Sequence, residues 1–367
     1  MSAFARALGA LPPPPNASAL TFEPGGQLEL SSAPALDPSA CWRALAADLE
    51  HVRRPLAEHG LVLVPSGIDP HRPPHRQLDS PRYRAMAGYF GRLGTLGAQM
   101  MNSTAAVQVN LALGADPADA VRRWRLLHDL GPVLVASFAN SPLHAGRPTG
   151  WKSGRQRVWM HLEPRRTGVP RGPDPVRAWA DYALAAPLLL CRRDHEDWSV
   201  PAGIRFADWV DRRTVDGALP AVPTLADLEC HLSTLFPPVR PRGWFEVRYV
   251  DAQHPRYWPV PMAVLATLLD HAEAGAGAAR LACRAPSWEA AARHGPAAPG
   301  LAEAARGCFR AALDAMSHGG TDPGLVALVA EFAERYVARG RCPADDQLDR
   351  APARAGTRPV PDETEEP

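Results

Sequence analysis

Three short stretches of this chain alternate apolar residues with groups suited to metal, phosphate or carboxylate. In the first, Leu28 and Leu30 alternate with Gln27, Glu29 and Ser31. In the second, Val107, Val109 and Leu111 alternate with Gln108 and Asn110; in the third, Phe245, Val247 and Tyr249 alternate with Glu246 and Arg248. A period of two puts each polar set on one face of a strand. One face of an antiparallel sheet often simply meets water. Solvent faces, however, usually carry lysine, threonine and long mixed polar side chains, whereas these carry carboxylates, amides and one arginine. That is a donor set for Mg²⁺ and phosphate oxygens, so the three strands together read as an active-site wall. Phosphate recognition would rely on metal and arginine, because neither a G-x-x-x-x-G-K-[ST] loop nor a G-x-G-x-x-G turn is present. G-x-S-x-G and H-E-x-x-H are absent as well.

The elements that must position these residues follow from turn and cap signals. Glu23-Pro24-Gly25-Gly26 separates a strand at 19–22 from one at 27–31, and its two glycines permit a tight turn or a close backbone approach. Asp37-Pro38 opens a helix that stops at Gly60, and 61–64 is predicted to be a short buried strand. Ser80-Pro81 starts a helix through about Leu93, and 100–113 reads as extended. Asp116-Pro117 begins a long helix carrying Val121, Trp124, Leu127 and Leu130, with Pro132 predicted to kink it. Residues 141–174, dense in Gly, Pro, Arg and Ser, read as a long functional loop. Helices near 175–186 and 224–235, a strand at 244–250 and an alanine-rich helical last third complete the pattern. Trp151, Trp159 and Trp244 read as packing residues, and His231 as a helix residue with a hydrogen bond.

Composition bounds the class. Of 367 residues, 22% are charged and 46% hydrophobic, with net charge +1, which fits a globular protein and gives no reason to expect nucleic acid or membrane as partner. Lys152 is the single lysine among 40 basic residues, so an arginine here is weak evidence for a site unless its position supports it. Six cysteines without C-x-x-C spacing read as free thiols. The first residues hold no apolar core of signal-peptide length, and no run of 18 apolar residues occurs, so a cytoplasmic location is expected. The expected organisation is one α+β domain over 18–348, a Pro-rich leader at 1–17 and a solvated tail at 349–367.

Several segments resemble the plant and bacterial glutamate-cysteine ligase family, most closely its actinobacterial branch that feeds ergothioneine synthesis. They are TFEPGGQLELS at 21–31, RYRAM at 82–86, MMNSTAAVQVNLALG at 100–114, FANSP at 138–142, TGWKSGRQRVW at 149–159, RRTG at 165–168, HLSTLFPPVRPRGWFEVRYVDA at 231–252 and GRCPADD at 340–346. The resemblance implies a fold similar to glutamine synthetase, a curved antiparallel sheet forming a funnel with helices outside. It implies that Glu23, Glu29 and Glu246 hold Mg²⁺, with Gln108 completing a ligand position, Asn110 beside it and Gln27 in the substrate or nucleotide site. It implies that Arg248 faces the transferred phosphoryl group and that Arg155 clamps a substrate carboxylate or phosphate, with Arg82 and Arg166 as further candidates. The implied reaction takes ATP, glutamate and cysteine through γ-glutamyl phosphate to γ-glutamylcysteine.

Family members carry a Gly-x-Glu-x-Glu strand upstream of the E-P-G-G-Q turn, and the 22 residues before Glu23 contain no such motif. The N-terminal strand is therefore expected to be missing here. Two other readings stand beside the ligase: an ATP-dependent γ-glutamyl ligase using a different amine, and an inactive homologue acting as a binding protein.

Overall fold

The computed structural model describes residues 11, 13–172, 174–194, 197–213, 219–220 and 222–351. Most of the leader, and the tail from 352 onward, lie outside the described residues.

A hairpin of β1 (Ala19–Phe22) and β2 (Leu28–Ser31) comes first, with Thr21 opposite Glu29. Its turn closes where the Gly26 amide donates to the Glu23 carbonyl. Helix α1 (Pro38–Glu58) starts where the Asp37 carboxylate accepts the Ala40 amide, and it ends before Gly60 at φ +70°. Two helices, α2 (Pro81–Gly91) and α3 (Leu96–Ser103), lead into β3 (Ala106–Leu111) and then α4 (Pro117–Phe138), which has Pro132 inside it. Next come a minimal hairpin of β4 (Leu143–His144) and β5 (Arg147–Pro148), and helices α5 (Gly154–Leu162), α6 (Pro164–Thr167), α7 (Pro175–Ala185), α8 (Phe206–Val210) and α9 (Leu225–Leu232). Strands β6 (Val239–Pro241) and β7 (Phe245–Asp251) are followed by α10 (Pro259–Asp270), α11 (Ala272–Ala282), α12 (Trp288–His294), α13 (Leu301–His318), α14 (Pro323–Phe332) and α15 (Pro343–Arg350).

The main sheet is antiparallel in the order β3-β7-β6. Its apolar face, Val109, Leu111, Phe245, Val247 and Tyr249, packs into the largest core with α4 and the C-terminal helices. Tyr249 donates its hydroxyl to the Leu127 carbonyl at 3.0 Å, and Phe245 stacks obliquely on Trp124 at 5.8 Å. The described strands form three separate antiparallel sheets of two, three and two strands. The class is α+β, as read from the sequence, but these strands do not by themselves outline one curved funnel.

Three local expectations need correction. Residues 61–64 form no strand, and Val62 and Val64 are exposed; Leu61 and Leu63 lean on Val52 and Leu56 of α1, and among the described residues no segment pairs with them as a strand. The extended reading of 100–113 holds only from Ala106, because Leu96–Ser103, rich in good helix formers, is helical and buries Met100 and Met101. The long loop at 141–174 contains β4, β5, α5 and α6. Ser153 starts α5 by accepting the Gln156 amide at 3.1 Å, a Ser-x-x-Gln start buried in a stretch of Gly, Arg and Pro.

Candidate active site

β7 is the central strand, so its polar side chains are flanked on both sides. Glu246 lies opposite Asn110 on β3 and opposite Arg240 on β6. The Arg240 guanidinium donates twice to Glu246, from Nε at 2.7 Å and from Nη2 at 3.1 Å. Arg248 follows two residues along the same face and donates from Nη1 to Glu246 at 2.9 Å and to the Gln108 side-chain oxygen at 3.0 Å. A shift of register between Val107 and Val109 carries Gln108 to that position. The polar faces read on the second and third strands therefore form one surface.

Electrostatics follow from this crowding. Burial works to raise the Glu246 pKa, and Arg248 and Arg240 overcome it, holding the carboxyl below its ordinary range. Arg240 is pulled down to about 10 by burial first and by the Arg248 charge second, so it stays a cation at neutral pH.

The β1-β2 hairpin joins this surface through its tip. The Pro24 carbonyl accepts the Gln77 and Leu78 amides, and Gln27 donates to the carbonyls of Met101 and Thr104 at 3.2 and 3.1 Å. Gly25 passes so close to α3 that a Cβ on it would stand 2.1 Å from the Asn102 carbonyl oxygen. Docked this way, Glu23 lies within electrostatic reach of Arg248, Arg82 and Arg240. Solvent touches Glu23, yet surrounding protein displaces enough water to raise its pKa, and the Glu29 charge raises it further. Two like charges in a partly dry corner suit a hard cation.

Glu246 and Gln108 fit a metal less well as they stand, since arginines already engage their oxygens. Among the described residues no three His, Cys, Asp or Glu side chains gather as a metal nest.

Arg155 sits in helix α5, not in a loop, and is buried. Its Nη2 donates to the Arg248 carbonyl at 2.8 Å, while its Nε and Nη1 have no hydrogen-bond partner among the described residues. Burial brings its pKa down to about 10, with the Asp251 charge opposing the fall. Arg155 and Arg248 both lie over the Trp159 ring, 5.7 and 5.9 Å from its centre. These three side chains, with Phe236, Pro237 and Pro238, line a cleft of about 10 Å³, room for roughly one water. A wider recess of about 490 Å³ lies elsewhere, beside Tyr257, Arg335 and Asp346, where Arg335 and Arg341 both pair with Asp346.

The remaining arginines divide. Arg82 donates to the Ser233 hydroxyl at 3.0 Å and to its carbonyl, near enough to Glu23 to act on it. Arg166 is fully buried, bound to Glu163 at 2.6 Å and to Thr234 and Pro187, so it braces α6 and does not reach the cleft. Gln27 anchors the hairpin, and Asn110 stays exposed beside Glu246.

Arg240 belongs to this surface although only a bare V-R-P step marks it in the sequence, and Trp159, expected to pack, also lies under two guanidinium groups. Trp151 is a core residue, and His231 donates from Nε2 to the Ala183 carbonyl at 2.8 Å, a helix residue with a hydrogen bond as expected. Trp244 is part-exposed under Arg242, so it does not pack inside.

Known proteins resemble this chain over nearly its whole length. The model of glutamate-cysteine ligase family 2 matches residues 3–364. The glutamate-cysteine ligase EgtA of Mycolicibacterium smegmatis is 43% identical over 353 residues, 94% of this chain and 80% of that protein. EgtA of Mycobacterium tuberculosis H37Rv is 42% identical over 348 residues, covering 93% and 78%. The chloroplastic glutamate-cysteine ligase of Medicago truncatula is 34% identical over 242 residues, 63% of this chain and 46% of that protein.

Proposed function

This chain belongs to glutamate-cysteine ligase family 2, and we propose that it joins the γ-carboxyl of glutamate to the amine of cysteine with cleavage of ATP. The observation that carries this reading is the face of β7, where Glu246, Arg248 and Arg240 adjoin Gln108 and Asn110 and confront Glu23.

A carboxylate oxygen is a very poor leaving group, so the γ-carboxylate first attacks the terminal phosphorus of ATP and ADP departs. The cysteine amine then attacks the acyl carbon of γ-glutamyl phosphate and phosphate departs, the amine losing its proton. Phosphoryl transfer needs positioning and charge neutralisation more than covalent help. Only Nη1 of Arg248 is engaged among the described residues, which leaves its other N–H groups for the transferred phosphoryl oxygens. Arg155 offers two unpaired buried donors to a substrate anion, and Trp159 keeps both guanidinium groups stacked. Glu246 holds Arg248 and Arg240 in place, and Arg82 adds positive charge.

Glu23 and Glu29 would hold Mg²⁺, with Glu246 and Gln108 as further oxygen donors once an arginine lets go; when bound, the ion would neutralise ATP phosphates. The curved funnel expected from the family would be completed around these strands. The same reading gives γ-glutamylcysteine a use in building low-molecular-weight thiols such as ergothioneine, because the bacterial relatives bear the EgtA name. A cytoplasmic location accords with six free cysteines and with no described helix long and apolar enough to cross a membrane.

The test offers the chain ATP, Mg²⁺, glutamate and an equimolar mixture of amines including cysteine, with products identified by mass. γ-Glutamylcysteine is the expected main product. Another γ-glutamyl amide in excess would replace the acceptor, and no amide at all would leave a binding protein.

A further inference from the structure

The last residue of β7, Asp251, is buried to 2% exposure and takes no part in the reaction described above. Its carboxylate accepts the Asn140 amide at 2.9 Å, the Ser141 hydroxyl at 2.7 Å and the Ser153 hydroxyl at 2.9 Å. Each serine passes the connection on. The Ser141 oxygen accepts the Arg155 amide at 3.0 Å, and the Ser153 oxygen accepts the Gln156 amide at 3.1 Å. Both amides belong to the first turn of α5, so one carboxylate fixes where that helix starts. Gly67 closes the far side, since a Cβ on it would stand 2.6 Å from the Asp251 carboxyl carbon. Arg155 Nη1 lies 3.9 Å from Asp251 Oδ1, too long for a hydrogen bond but close enough for a strong attraction in a dry interior. A buried guanidinium with two unpaired donors keeps its charge and direction only if a fixed counter-charge faces it.

We infer that Asp251 is a positioning residue for Arg155, orienting its guanidinium through the start of α5 and holding it charged for a substrate anion. The inference rests on the anion-clamp reading of Arg155 given above.

Steady-state kinetics of the full chain test it in two stages. Arg155→Lys first identifies the substrate whose KM rises. Asp251→Asn, which keeps the shape and removes the charge, then raises that same KM by roughly tenfold, leaves the other two within about twofold, and adds nothing further in the Arg155→Lys background. Asp251→Glu, which keeps the charge, restores that KM to within about threefold of the parent. A loss of kcat with all KM values unchanged, or full additivity with Arg155→Lys, overturns the inference while the clamp stands. If Arg155→Lys moves no KM, the clamp itself falls and this inference with it. Should neither Asp251 variant fold, the residue is structural only and the inference fails.

Discussion

Glu246 has charged donors 2.7 and 2.9 Å away on two different arginines, and removing its charge would leave both guanidinium groups facing one another in a half-dry face. Glu246→Gln should therefore lose about 3–5 kcal/mol of stability in urea unfolding, the scale for breaking one partner of a buried pair. Because its folded pKa lies below the ordinary value of 4.5, this stabilisation is complete above that pH and is lost as pH falls through the lowered folded value. Glu23 has the opposite sign. Its raised pKa means that the ionised form is disfavoured in the fold at neutral pH, a penalty that fades in acid as the carboxyl protonates. Glu23→Gln should thus raise Tm at pH 7, with the gain shrinking near pH 4, while ligase activity falls by about a hundredfold or more. Thermal scans at the two pH values together with product assays check both halves. At this scale Glu29, Glu246 and Arg248 were legible because alternation marks a polar face, whereas Glu23, in the turn, was marked only by the resemblance of its E-P-G-G-Q string. Arg240 was not, because in a chain with one lysine and many arginines a lone V-R-P carries little signal, and Asp251 was hidden because a strand's last residue shows no pattern of its own.

Between residues and fold stand two joints. The turn at Gly25 rests on the end of α3 with no space for a side chain. Gly25→Ala should cost about 1–3 kcal/mol and shift Glu23 away from Arg248, so that activity falls more than stability alone explains; denaturant curves and assays at a temperature well below Tm separate the two. The start of α5 depends on Ser153, and Ser153→Ala should cost about 1 kcal/mol for the lost cap, with a further effect on the KM that Arg155 governs. Helices opening on Asp-Pro or Ser-Pro were plain in the sequence, since the cap and the fixed φ of proline are local. The helix α5 was missed because its cap sits among loop-like residues, and the supposed buried strand at 61–64 failed because a short apolar run cannot say whether a partner strand exists.

In the whole molecule, a three-stranded sheet has its apolar face in the main core, and its other face, with the hairpin tip beside it, is the proposed site of the reaction. The α+β class and the polar wall were readable because both follow from periodicity; how the separate sheets are arranged depends on pairings distant in sequence, which no local pattern fixes. The central claim is that this wall activates a carboxylate as an acyl phosphate. The direct measurement supplies glutamate labelled with ¹⁸O in its γ-carboxyl, together with ATP, Mg²⁺ and cysteine, and reads the mass of the released phosphate. One labelled oxygen per phosphate, formed in step with γ-glutamylcysteine, is the predicted result. Phosphate that carries no label, or amide formed without phosphate release, would contradict the account.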